Sequence, residues 1–89
     1  MPRDRQDNDS ANLLDMLYFS REAIKHLGGL NEEQLYSHQT VLRAVERTVE
    51  LVGEAASRVS TNFRHQHPHI PWRIIISTRN IIVHEYQDV

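Results

Sequence analysis

The sequence predicts an all-helical protein with a single domain, and three observations support this class. Apolar residues recur at three- and four-residue spacing over residues 42–59, which is the period of an α-helix. The pair Gly28-Gly29 supplies a helix stop, and residues 31–34 resemble the capping box that opens another helix. A chain of 89 residues buries too little surface to divide into two domains.

The composition is that of a soluble globular protein, with 39% apolar and 25% charged residues. The absence of cysteine excludes disulfides and thiolate metal sites, so self-association is the expected extra source of stability. No apolar run approaches the roughly 20 residues of a membrane span, and the chain begins without the apolar region of a secretory signal. We therefore expect a cytoplasmic protein with a flexible N-terminal arm over residues 1–9 and one helical domain over residues 10–89.

The charge distribution places anion-binding chemistry in the last third of the chain. A net charge of -2 and a pI near 6.3 argue against a protein that coats nucleic acid with a global basic field. Residues 60–89, however, contain four of the six histidines and more basic than acidic side chains. These charged residues are Arg64, Arg73 and Arg79 against Glu85 and Asp88.

The first helix is predicted to begin near Leu13, with Ser10 or Asp9 as its N-cap. Its apolar stripe consists of Leu13, Met16, Leu17, Ile24 and Leu27. The glycine pair that follows can adopt the left-handed conformation that ends a helix. The capping-box pattern at residues 31–34 then opens a short helical turn.

The strongest helical signal in the chain lies between residues 42 and 59. Its apolar stripe consists of Leu42, Val45, Val49, Val52, Ala56 and Val59. The opposite face interleaves acidic and basic residues, which predicts a solvated surface supported by ion pairs within the helix. Gly53 costs a helix about 1 kcal/mol relative to alanine, so we interpret it as the point where another helix approaches closely.

Residues 60–71 have the composition of a loop, whereas residues 73–86 are ambiguous between helix and strand. The two β-branched runs in residues 73–86 flank a polar tetrad, which also fits a β-hairpin. Helix is favoured because an isolated hairpin is marginal in water and because Pro71 suits the first position of a helix. Trp72 is then expected to anchor this helix to the core.

Arg79 and His84 are the candidate catalytic residues. A guanidinium can clamp a phosphate and neutralise developing charge, whereas an imidazole transfers protons near neutral pH, and a metal-free phosphodiester cleavage needs both. On a helix, Asn80 lies about 40° from His84, where its amide would support the ring, and Tyr86 lies about 20° from Arg79. The pair alone is a weak signal, because a surface arginine and a hydrogen-bonded histidine at a helix end give the same spacing in many proteins.

A second histidine pattern resembles a set of metal ligands, but we do not predict a metal site there. His65, His67 and His69 alternate, and alternating residues share one side of an extended chain, as three zinc ligands would. Pro68 interrupts the set, and no carboxylate within it completes the shell. We therefore predict no metal and no other cofactor.

Two segments near the C-terminus resemble a known family. Residues 70–72 read IPW and residues 78–86 read TRNIIVHEY. They resemble the HEPN superfamily, specifically the HepT-like toxin family, whose signature is an arginine, then a histidine four to six positions on, then a tyrosine two further. The resemblance extends upstream to residues 53–56 and 13–17, so it covers nearly the whole chain.

The resemblance implies both a fold and an activity. The fold would be an antiparallel helical bundle, and the active unit would be a homodimer. The activity would be metal-independent endoribonuclease cleavage of RNA, carried by Arg79 and His84 from both protomers across a shared cleft, with Asn80 in support. Members of the family continue beyond the tyrosine into a further helix, so the final C-terminal helix is expected to be absent here and its apolar contact surface exposed.

The resemblance also assigns a role to Tyr86. In the family this tyrosine resembles the acceptor for nucleotidylation by a cognate nucleotidyltransferase antitoxin, in a type VII-like toxin-antitoxin pair. Such a modification would place a bulky anion beside Arg79 and block RNA. Two other functions stay open at this point: a non-catalytic nucleotide-binding or substrate-presenting subunit of a nucleotidyltransferase complex, and a bare helical dimerisation module.

Overall fold

The computed structural model describes residues 8–78, and within this range the chain is helical and contains no strand. The helices are α1 (Asp9–Leu27), α2 (Glu32–Ser37), α3 (Gln39–Arg58), α4 (Thr61–Gln66) and the helical residues 72–78, called α5. The all-helical class is therefore confirmed, and the strand alternative is wrong for residues 74–76. No helix within residues 8–78 combines the length and apolar character needed to cross a bilayer.

The ends of α1 follow local capping chemistry. The N-cap is Asn8, whose Oδ1 accepts a hydrogen bond from the Ala11 amide at 3.0 Å, so the expectation of Ser10 or Asp9 as the cap is wrong. At the other end Gly28 adopts φ 57°, and its amide donates to the Ile24 carbonyl at 3.1 Å. The predicted glycine stop is thus confirmed.

The predicted capping box opens α2. The Gln34 amide donates to Asn31 Oδ1 at 2.8 Å, and the Asn31 amide donates back to Gln34 Oε1 at 3.0 Å. His38 separates α2 from α3, and its Nδ1 lies 2.8 Å from the Gln34 carbonyl oxygen. A single residue therefore connects the two helices.

The core lies where α1, α3 and α5 meet. Ala56, Val59 and Trp72 form its buried cluster. Partly buried side chains from four segments pack against it: Leu13, Met16, Phe63, Ile70, Ile75 and Ile76. Gly53 and Ala55 are also buried, which agrees with the close helix approach predicted at this position, because residues without long side chains let backbones come near one another.

The outer face of α3 is a solvated, ion-paired surface, as predicted. Its pairs are Arg43–Glu46 and Arg47–Glu50 at 3.0 Å and Glu54–Arg58 at 3.1 Å. Two of them use i,i+3 spacing and one uses i,i+4 spacing. Exposed pairs of this kind each contribute only about 0.3–0.5 kcal/mol, so α3 depends mainly on its buried face.

The expectation of a simple loop over residues 60–71 is wrong, because α4 lies inside it. Ser60 is its N-cap, and the Ser60 hydroxyl oxygen accepts a hydrogen bond from the Phe63 amide at 3.1 Å. The helix has a polar sequence with one large apolar side chain, Phe63, so it has no periodicity to detect. Its position depends on contacts with distant residues.

Candidate active site

The candidate residues Arg79, Asn80, His84 and Tyr86 lie outside the described residues. What the structure describes is the helix α5 that leads directly to Arg79 along the chain, together with the contacts that hold α5 in place. These contacts determine where the polypeptide enters the motif.

Trp72 anchors the beginning of α5, as predicted. Only 8% of its surface is exposed, and its indole packs with Ala56 and Val59 in the core. The indole Nε1 donates to the His67 carbonyl at 3.0 Å, so the ring is fixed in orientation as well as depth. Pro71 stands one position earlier than expected: it precedes the first helical residue, and its carbonyl accepts the Ile75 amide at 3.1 Å.

An aromatic cluster links α4 to α5. The Phe63 and His67 rings stack with centroids 4.1 Å apart and an interplanar angle of 17°, and Phe63 meets Trp72 edge-on at 6.2 Å. His67 Nδ1 lies 3.0 Å from the Phe63 carbonyl oxygen, so this nitrogen carries the hydrogen and donates it. His67 therefore stabilises the connection between α4 and α5.

The structure places two of the alternating histidines close together. The His67 and His69 rings are 5.9 Å apart at an angle of 59°, while His65 is exposed on α4. Over residues 8–78 there is no group of three histidine or acidic side chains that could hold a metal ion.

Asp9 fixes the junction between α3 and α4. Its Oδ2 accepts the Ser60 hydroxyl at 2.7 Å, and its Oδ1 accepts the Ser60 amide at 2.8 Å. These two hydrogen bonds lower the pKa of the Asp9 carboxyl below its usual value of 3.8, and the bond from the Ser60 hydroxyl has the larger effect. The N-terminus of α1 is thus tied to the residue that caps α4.

A basic groove opens beside α4 and the start of α5, with a volume of about 530 Å³. We define the basic groove by its lining residues Arg64, His65, Pro68, Ile70, Pro71, Trp72, Arg73 and Ile74. Among the described residues neither arginine has an ion-pair partner, and no carboxylate lines the groove. It therefore offers positive charge to an external anion.

An apolar groove of about 320 Å³ lies between α1, α3 and α5. Its lining residues are Ser20, Ala23, Ile24, Val49, Val52, Ile74, Ile75 and Thr78. Ile24 and Ile74 remain 70% and 67% exposed. The groove reaches the last described residue of α5, so an apolar surface adjoins the point where the chain enters the motif.

A family comparison gives this geometry its context. The model of the family described as Ribonuclease HepT-like matches residues 16–89. The chain belongs to the HepT-like ribonuclease family. The match includes α5 and the segment that contains Arg79, His84 and Tyr86, which agrees with the resemblance drawn from the sequence.

Individual relatives of this HepT-like chain carry ribonuclease names. Two proteins of Methanocaldococcus jannaschii, MJ1380 and MJ1216, both named as candidate RNases, are 29% and 28% identical over 76 residues, which is 85% of this chain. The matched part covers 70% of the length of MJ1380 and 63% of the length of MJ1216. A Thermococcus cleftensis protein named probable ribonuclease HepT is 40% identical over 43 residues, covering 48% of this chain and 39% of its own length. No solved structure matches the chain.

Two features of the HepT-like fold were missed by the sequence analysis. Asn12 is completely buried in α1, and its Nδ2 donates to the Asn8 carbonyl at 3.0 Å. The bond between Asp9 and Ser60 joins residues 51 positions apart. Local sequence carries no signal for the second contact, although Ser60 before an apolar residue three positions later could have indicated the α4 cap.

Proposed function

We propose that this chain is a metal-independent endoribonuclease that uses Arg79 and His84, with Asn80 in support. The observation that carries the proposal is the family match over residues 16–89, which contains the arginine and histidine in the spacing of the HepT-like signature. The names of the relatives point the same way, because they assign those proteins as RNases.

The proposed reaction needs only proton transfer and charge stabilisation. The 2′-oxygen of a ribose attacks the adjacent phosphorus, its proton passes to His84, and the bond from phosphorus to the 5′-oxygen breaks. The leaving oxygen takes up a proton from water, His84 returns its proton to solvent, and the products are a 2′,3′-cyclic phosphate and a 5′-hydroxyl. Arg79 neutralises the charge that accumulates on the phosphoryl oxygens.

The proposed active unit is a homodimer in the cytoplasm. Within residues 8–78 several large apolar side chains are 47% to 70% exposed, which a second copy would cover. They are Leu14, Leu17, Tyr18, Ile24, Tyr36 and Ile74. Among residues 8–78 the buried cluster has three residues, and the chain has no cysteine to reinforce a core with disulfides.

We further propose that the ribonuclease is the toxin of a toxin-antitoxin pair. Its antitoxin would be a nucleotidyltransferase that attaches nucleotides to Tyr86. The resemblance to the HepT-like toxin family supports this part, and the added negative charge beside Arg79 would repel RNA phosphate.

The direct test is RNA cleavage by purified protein with EDTA present. We expect cleavage to persist in the chelator and to leave cyclic phosphate ends. His84→Ala should slow it by about 10²–10⁴-fold, the usual contribution of general acid-base catalysis. His26→Ala, which removes an exposed histidine on α1, is the matched control and should leave the rate unchanged.

Three results would contradict the proposal. Cleavage that EDTA abolishes would indicate a metal-dependent reaction. Full activity in His84→Ala would remove that residue from the mechanism. A protein that binds nucleotides but leaves RNA intact would favour a non-catalytic partner of a nucleotidyltransferase.

A further inference from the structure

The basic groove contains two arginines whose charges the described part of the protein does not neutralise. Arg43, Arg47 and Arg58 on α3 each pair with a glutamate within 3.1 Å. Arg64 and Arg73 have no such pair among residues 8–78, although both line one groove. Two arginines that line one concave surface without an ion-pair partner among residues 8–78 make it a candidate site for an anion.

Arg64 is held in the wall of the groove by packing. It is half-buried, and its Nε is fully buried with no hydrogen-bond partner among the described residues. A buried donor without an acceptor is costly, and an anionic ligand near the guanidinium offsets part of that cost. Arg73 is exposed on the opposite element, α5, so the two charges approach the groove from different helices.

The walls of the groove are held by prolines and by side-chain contacts. Pro68 and Pro71 restrict the connection between α4 and α5. Trp72 is fixed by its bond to the His67 carbonyl, and His67 in turn stacks on Phe63. A ligand would therefore enter a preformed site and would not have to order a loop.

From these observations we propose that the basic groove holds the sugar-phosphate backbone of single-stranded RNA. Arg64 and Arg73 would each contact a phosphate of the strand. This inference rests on the proposed ribonuclease function and adds a binding surface outside the catalytic pair. A groove of about 530 Å³ falls in the size range of ligand clefts.

The test measures RNA affinity as a function of salt. The probe is a fluorescent single-stranded RNA with 2′-O-methyl groups, which keeps the phosphates but has no free 2′-oxygen to react. Each phosphate contact contributes about 0.7 to the slope of log affinity against log salt for single strands. We expect Arg64→Gln and Arg73→Gln each to flatten the slope by about that amount and to weaken binding by about tenfold.

Matched variants separate charge from folding. Arg47→Gln removes an exposed arginine from α3 and should leave affinity and slope unchanged. Arg64→Lys and Arg73→Lys keep the charge and should keep the slope. If Arg64→Gln melts at a lower temperature than the parent, its weaker RNA binding could reflect lost folding. The test then rests on Arg73→Gln, because Arg73 is exposed.

The possible results distinguish the two proposals. If both glutamine variants match Arg47→Gln in affinity and slope while the parent cleaves RNA, the groove proposal is overturned and the ribonuclease stands. If the parent neither binds nor cleaves RNA, both proposals fall. If the arginine variants keep RNA but lose an acidic protein partner, the groove is a protein interface and the RNA assignment is wrong.

Discussion

Asp9 is a single residue that connects two distant parts of the fold. Its carboxylate accepts both the amide and the hydroxyl of Ser60, and Ser60 in turn caps α4. Because α4 supplies Phe63 to the aromatic cluster at Trp72, the acid at the start of α1 supports the position of α5 through a short chain of contacts.

This contact predicts an acid-dependent loss of stability. The folded pKa of Asp9 lies below its usual value of 3.8, so its ionised form stabilises the fold above that pH. The contribution is lost as the pH falls through the lowered folded pKa. Asp9→Asn, which resembles the protonated acid, should melt at a lower temperature than the parent at pH 7, and the difference should close at acidic pH.

Thermal melts followed by circular dichroism from pH 7 down to about pH 2 check this prediction. Glu22→Gln removes a carboxylate from the same helix and controls for the loss of one negative charge. A gap between parent and Asp9→Asn that stays constant across this range would show that the carboxylate does not act through its charge.

Trp72 is the buried residue through which α5 joins the core cluster, and Ile75 and Ile76 pack beside it. Trp72→Ala should cost about 3–5 kcal/mol, as large-to-small substitutions of buried aromatics do. Trp72→Phe keeps a ring but removes the indole donor, and because the His67 carbonyl still accepts the Ile70 amide, the cost should be only about 1 kcal/mol. Urea unfolding gives both values.

An exposed residue on the same helix provides the comparison. Ile74 is 67% exposed, so Ile74→Ala should cost less than about 1 kcal/mol. Equal losses for Trp72→Ala and Ile74→Ala would mean that α5 is not anchored through the indole.

The elements differ in how far the sequence predicts them. Local signals predict α1, α2 and α3, because glycine stops, capping boxes and helical periodicity act within a few residues. Helix α4 has no periodicity, and its stability comes from Asp9 and from the Phe63 cluster, which are contacts between segments far apart in sequence. The motif at Arg79 and His84 was recognised by its residue pattern, and its geometry stays a prediction.

The whole molecule is predicted to be a dimer. Within residues 8–78, apolar side chains exposed on α1 and α5 form a surface that a second copy would cover. Light scattering should give twice the chain mass of 10.4 kDa, and the melting temperature should rise with protein concentration. A monomer at tens of micromolar with a constant melting temperature would contradict a shared active site.

Mixing inactive variants extends this prediction to the site. If the arginine of one protomer acts with the histidine of its partner, Arg79→Ala mixed with His84→Ala should recover part of the cleavage that neither has alone. Mixing each variant with itself is the control. No recovery in a confirmed mixed dimer would place both groups of each site on one protomer.

The last prediction concerns regulation of the dimer by a partner enzyme at Tyr86. Nucleotidylation would add negative charge near Arg79, so the modified protein should lose RNA binding while it remains a dimer. Intact-mass analysis after co-expression with the cognate nucleotidyltransferase should show added nucleotides on the parent and none on Tyr86→Phe. Because Tyr86→Phe keeps the ring and lacks only the acceptor oxygen, it should stay active and be toxic to cells even when the partner is present. An unchanged mass, with neutralisation that survives Tyr86→Phe, would mean that the partner inhibits by binding alone.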